Sequence, residues 1–177
     1  MKKATNFVIV DPSLRSSGVF IHNGINTSHY AIQTPKKVDR LEILGKYKKH
    51  FTELVESNNW DFLCVEDYSF GSHGNAVTTQ AEVGGIIRGC FAAEGVPIIE
   101  MPIQTWKAVT GVRLKKGTKK DNKIYTETII KSYGVNFDTT DECDAYLMYI
   151  TLKTISSGMT DKGFEIRKQL QTIGIEI

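Results

Sequence analysis

Residues 5–33, TNFVIVDPSLRSSGVFIHNGINTSHYAIQ, decide the fold. The run 5–10 is short, apolar and β-branched, and Asp11-Pro12 stops it. Runs 18–22 and 27–33 follow turn signals at Ser16-Ser17 and Asn23-Gly24, and three strands so spaced predict an antiparallel meander. Working outward, Leu41, Leu44, Tyr47, Phe51, Leu54 and Val55 recur at helical spacing with charges between them, which predicts an amphipathic helix over 38–57. The run 60–66, WDFLCVE, is too short for a helix and reads as a buried strand. A strand, a crossover helix and a second strand form a right-handed unit whose strands are parallel neighbours. Asp11 closes the first of these strands and Glu66 the second, so both acids are expected at one edge of the sheet, where open α/β sheets bind ligands.

The remaining pattern extends this unit. A helix is expected over 75–94 although Gly84, Gly85 and Gly89 each weaken it by roughly 1 kcal/mol, so close approach of another backbone, in a dimer interface or on the sheet, is expected there. A strand over 96–101, a short helix over 102–109 with Pro102 at its start, and a basic, glycine-containing loop over 112–120 come next. Helices are expected over 121–133 and 141–156, with a further one near 164–171. The order predicts an α/β domain: a mixed five-stranded sheet whose first three strands are antiparallel, with helices on both faces. With 177 residues and 41% hydrophobic content the chain fills one core, expected over 1–158, with 159–177 a tail packed on the same domain.

Composition excludes several classes. No apolar run reaches the 18 residues a membrane span requires, and the stretch Phe7 to Val10 is too short for a signal-peptide core, so a cytoplasmic protein is expected. Cys64, Cys90 and Cys143 are far apart and flanked by apolar residues, as buried reduced thiols would be. They and the four histidines show no zinc-ligand spacing, so any metal is expected to take oxygen ligands, which points to magnesium or manganese. Net charge is only +2, yet between Thr105 and Lys131 eight cations (Lys107, Arg113, Lys115, Lys116, Lys119, Lys120, Lys123, Lys131) stand against two acids. Such a patch suits a phosphate backbone, though it also describes a solvated loop.

Asp141 and Asp144, three apart, share one face of a helix that is apolar almost throughout and must therefore lie on the sheet. Its first turn is expected at the edge that carries Asp11 and Glu66. Taken singly, each acid has a plainer reading: Asp11 before Pro12 as a turn initiator, Glu66 beside Asp67 as a solvated strand end, Asp141-x-x-Asp144 as a capping box. Four carboxylates together would instead repel one another and raise one another's pKa unless divalent cations neutralised them.

The run 8–19, VIVDPSLRSSGV, resembles the first strand and turn of the RuvC-type Holliday-junction resolvases, in which Asp-Pro-Gly precedes a short loop and a second glycine. Val65-Glu66 resembles their second acidic strand, Asp141-Glu142-Cys143-Asp144-Ala145 their Asp-x-x-Asp-Ala helix start, and Lys119-Lys120-Asp121-Asn122 the lysine-bearing segment before it. The resemblance spans roughly residues 5–155. It implies a homodimeric ribonuclease H-like endonuclease that binds four-way DNA junctions and nicks them. It also implies two Mg²⁺ ions, with Mn²⁺ able to substitute, held by Asp11, Glu66, Asp141 and Asp144, and a catalytic Lys120 or its neighbour Lys119. DNA contacts are expected from Tyr68, Phe70, Lys107, Arg113, Lys115, Lys116, Lys119 and Lys123, the two aromatics by stacking on unpaired bases, with a packing role as the alternative for both. Ser13 replaces the family's glycine, and Ser69, between Tyr68 and Phe70, replaces its aromatic. That distance from the bacterial pattern implies a phage or mobile-element member acting in the host cytoplasm.

Other readings remain open at this point. A junction-binding scaffold without cleavage would lack metal-dependent nicking. A nuclease of the same fold could act on forks or RNA–DNA hybrids. The 11–18 loop also resembles a phosphate loop of the actin and sugar-kinase superfamily, but those proteins need two such domains, and no nucleotide cofactor is expected here.

Overall fold

The computed structural model describes residues 1–67, 75–113 and 116–177, with side chains from residue 78 onward in the second stretch. A five-stranded sheet has the order β4-β3-β2-β5-β6: β2 (Asn6–Asp11), β3 (Ser16–Asn23), β4 (Asn26–Gln33), β5 (Phe62–Glu66) and β6 (Ile98–Met101). β3 pairs antiparallel with β2 and with β4, whereas β2, β5 and β6 run parallel. The sheet is therefore mixed, with an antiparallel meander at one side, as the pattern of 5–33 predicts.

Side-chain alternation sorts the helices. Val8, Val10, Leu63 and Val65 point to one face, where α1 (Arg40–Glu56) and α2 (Asn75–Ala93) cover them through Ile43, Tyr47, Phe51, Val83, Ile87 and Phe91. Phe7, Ile9, Phe62 and Cys64 point to the other, against α3 (Ile103–Thr110), α4 (Lys119–Tyr133), α5 (Thr140–Ser156) and α6 (Phe164–Thr172). α5 is the central helix of that face, with nine buried residues, among them Leu147, Met148, Leu152 and Ile155. A two-stranded parallel sheet of β1 (Lys2–Lys3) and β7 (Ile175–Glu176) joins the first and last elements, and α6 packs on α5 and β6.

Several boundaries differ from expectation for local reasons. Ser16 and Ser17 begin β3 rather than forming a turn, because Ser17 is fully buried and its hydroxyl bridges Ser13 and Tyr47. α4 starts at Lys119, two residues early, because the Thr118 hydroxyl caps it by accepting from the Asp121 amide. Cys64 and Cys143 are buried, but Cys90 is only partly so. The exposed Gly85 and Gly89 of α2 have nothing within 4 Å of a Cβ built on them, so no contact among the described residues explains them. No helix among the described residues is long and apolar enough to cross a membrane.

Candidate active site

The register Phe7↔Phe62, Ile9↔Cys64 and Val10↔Val65, carried one residue further, sets Asp11 beside Glu66. Both acids belong to the alternation set that faces α5, so they point at the first turn of that helix. The capping of α5 frees the acids there. Thr139 is the N-cap, its hydroxyl accepting from the Glu142 amide at 3.2 Å, so the capping box is Thr139 with Glu142 and leaves Asp141 and Asp144 unused by it. The approach of α5 to the sheet depends on Gly18, which pairs with Asp11: a Cβ there would lie 1.9 Å from the Asp141 carbonyl oxygen.

Three of the four candidate acids are nearly out of solvent: Asp11 is 8% exposed, Glu66 5% and Asp144 3%. Burial is no solvated strand end for Glu66, nor does Asp11 make its turn, whose hydrogen bonds run between Ser13 and Ser17. The Trp106 indole N–H donates to Glu66 Oε2 at 2.8 Å, the Tyr125 hydroxyl donates to Asp144 Oδ1 at 2.5 Å, and the Ser16 hydroxyl donates to Asp141 Oδ2 at 2.6 Å. Lys116 forms an ion pair with Asp144 through Oδ2, its ammonium 5.1 Å from the centre of the Tyr125 ring.

The electrostatics are those of a cluster short of positive charge. Burial, then Glu66 and Asp144, pushes the Asp11 carboxyl well above the ordinary range. Burial raises Glu66 to about 7, with the Trp106 hydrogen bond opposing and Asp144 adding to the shift. Asp144 is raised by burial against the pull of Lys116 and Tyr125. Burial works against the Lys116 charge, but Asp144, Asp11 and Asp141 more than offset it, and its pKa stands above the ordinary lysine value.

The structure thus brings Asp11, Glu66, Asp141 and Asp144 to one edge. It sets Lys116, not Lys120, against them: Lys119 and Lys120 lie exposed in the first turn of α4. No three His, Cys, Asp or Glu among the described residues stand close enough together, as placed, to hold a metal ion. Lys107 lies on α3, its ammonium 5.3 Å from the Trp106 ring centre, and Arg113 lines a cavity of about 450 Å³ with it. Lys119 and Lys123 line a groove of about 890 Å³ that runs past Arg15 and Lys36 to Asp141. Tyr68, Phe70 and Lys115 fall outside the described residues. Sequence reasoning missed Trp106, Tyr125 and Ser16 as partners of the acids, and it gave Lys116 only a DNA contact. A tryptophan and a tyrosine on the buried sides of helices carry no sign of what they will meet.

No family model matches the chain, and no curated protein matches it in sequence. Among solved structures it is similar to Thermus thermophilus RuvC in complex with a Holliday junction substrate, with a TM-score of 0.62 at 14% identity, covering 88% of this chain and 98% of that one. It is similar to a further Thermus thermophilus RuvC structure with a TM-score of 0.60 at 15% identity over the same shares of the two chains. The architecture is that of the RuvC resolvases, the mixed ribonuclease H-like sheet expected from residues 5–33.

Proposed function

On this RuvC architecture, we propose that the chain is a structure-specific DNA endonuclease that resolves four-way junctions by divalent-cation-dependent phosphodiester hydrolysis. The observation that carries the reading is the burial of Asp11, Glu66 and Asp144 on one sheet edge with Asp141 beside them, with Lys116 paired to Asp144. A cluster so arranged is a liability to the fold unless a cation neutralises it, and perturbed carboxylates of this kind mark functional sites.

The donor set fits a hard divalent ion, being carboxylate oxygen throughout and lacking thiol or imidazole. Asp11, Glu66, Asp141 and Asp144 are the residues that would hold Mg²⁺, or Mn²⁺ in its place, as two ions. Bound there, the ions supply an activated water and stabilise the leaving oxygen of an in-line displacement. Lys116 moves between two tasks: in the cation-free cluster it balances Asp144, and with substrate present its ammonium counters charge on the phosphate. This assigns to Lys116 the role that the resemblance gives to Lys120 or its neighbour Lys119. The groove past Lys119 and Lys123, which reaches Asp141, and the cavity lined by Lys107 of α3 and Arg113 beyond its end offer phosphate contacts. A homodimer seats its second copy on α2, where Gly85 and Gly89 leave open surface.

The test incubates the purified protein with end-labelled four-way junction, fork, duplex and RNA–DNA hybrid, in Mg²⁺ or EDTA, beside Asp11→Asn. Paired, metal-dependent nicks in the junction that vanish in the variant are expected. Junction binding without cleavage in Mg²⁺ or Mn²⁺ refutes the enzyme, and cleavage confined to forks or hybrids refutes the substrate.

A further inference from the structure

Two of the three innermost carboxylates are gripped in the same way. Glu66 takes an indole N–H from Trp106 of α3, and Asp144 takes a phenol O–H from Tyr125 of α4. In each pair the ring engages one carboxylate oxygen, Oε2 of Glu66 and Oδ1 of Asp144, and the other oxygen of Asp144 carries the Lys116 ion pair.

Both donors are neutral. An arginine or lysine in either place would fix the carboxylate equally well but cancel its charge, and so remove the attraction for a cation. Indole N–H has no acceptor capacity, so the Trp106 contact has one polarity only. The Tyr125 hydroxyl likewise gives its one proton to Asp144 Oδ1. Both rings are also packed into the core. Trp106 is fully buried and Tyr125 is 1% exposed, and both belong to the hydrophobic cluster that α5 shares with the sheet. Each has two side-chain torsions, both locked by that packing, so the donor positions are set by the core. The acids are therefore aimed by the packing of two helices that contribute no ligand themselves.

Resting on the nuclease reading of the cluster, we propose that Trp106 and Tyr125 are positioning residues, which orient Glu66 and Asp144 for a divalent cation without neutralising them. The competing explanation is that the acids serve the rings: a buried indole or phenol needs an acceptor, and these carboxylates are at hand. The two differ in what cation binding feels. Orientation through an outer hydrogen bond tunes affinity, and its loss weakens metal binding about 10- to 100-fold. A packing role lowers stability equally with and without cation.

The experiment measures the melting temperature across a Mn²⁺ titration for the wild type, Tyr125→Phe and Trp106→Phe, and reads the cation-induced increment and its midpoint. Nicking of a labelled four-way junction across the same titration is the second readout. Midpoints raised about 10- to 100-fold in both assays are expected for each variant. Tyr125→Phe deletes one oxygen and no packing volume, so it carries the test even where the smaller ring at 106 does not support folding. A midpoint equal to that of the wild type, with melting lowered by the same amount in EDTA and in Mn²⁺, overturns the positioning role alone. A wild type with no cation-induced increment and no metal-dependent nicking overturns the metal site, and this inference with it.

Discussion

Gly18→Ala tests the step on which the site depends, the seating of α5 against β3. The added methyl would lie 1.9 Å from the Asp141 carbonyl oxygen, 2.3 Å from its carbonyl carbon and 3.0 Å from the Glu142 nitrogen, where ordinary contact begins at 3.4 Å. The obstacle is backbone in the first turn of a helix, so no side chain can swing aside. That turn must retreat by about 1.5 Å, the difference between 1.9 and 3.4 Å. Overpacking of this kind costs about 1–3 kcal/mol. At about 2–4 °C per kcal/mol for a domain of this length, melting should fall by roughly 2–12 °C. The displaced turn carries Asp141 and the helix start leading to Asp144, and a shift near 1 Å at reacting groups costs about 10²-fold in rate. Thermal melting in EDTA and single-turnover nicking of a labelled junction read the two effects. Gly45→Ala is the control: Gly45 lies within α1 with nothing within 4 Å of an added Cβ, and alanine there should stabilise by about 1 kcal/mol. A Gly18→Ala protein that melts and cleaves as the wild type does would refute this account of how α5 is held.

Glu66→Gln should reverse a pH trend. With a folded pKa of about 7 against an ordinary 4.5, the buried group favours its protonated form, so its contribution is fully present below pH 4.5 and is lost as pH rises through 7. In EDTA the wild type should therefore lose about 3 kcal/mol more than Glu66→Gln between pH 4.5 and 8; parallel melting curves would contradict this. Gly85→Trp on the exposed face of α2 should convert a dimer to a monomer in sedimentation, and unchanged sedimentation would remove that face as the interface. Reversing charge at Lys119 and Lys123 should weaken junction binding and reduce its salt slope by roughly 2, since each lost phosphate contact removes about one released counterion. A slope equal to that of the wild type would take the groove beside Asp141 out of the DNA path.

The sheet was legible because its strands are short β-branched runs ended by acids or turn residues, and the right-handed crossover between two of them brings Asp11 and Glu66 to one edge. Asp141 and Asp144 were legible as a helical pair, but the cap was not: Asp141-x-x-Asp144 imitates a capping box, and the real one, Thr139 with Glu142, sits two residues earlier. Lys116 could not be separated from the other lysines of the basic segment, because the fold of that segment beside Asp144 is a tertiary fact with no local pattern. Trp106 and Tyr125 were hidden for a related reason. Helical periodicity shows that a ring is buried but not which polar group its one donor reaches.

The pairing of β1 with β7 has a mechanical consequence. The strands are parallel, with the Lys2 amide donating to the Gly174 carbonyl and the Ala4 amide to the Glu176 carbonyl, both at 2.7 Å. Tension applied through the chain on either side of the domain pulls these strands lengthwise past each other, so both bonds carry load together instead of peeling one after the other. The joint between the first and last strands therefore resists stretching by shear, the geometry in which paired strands are hardest to part.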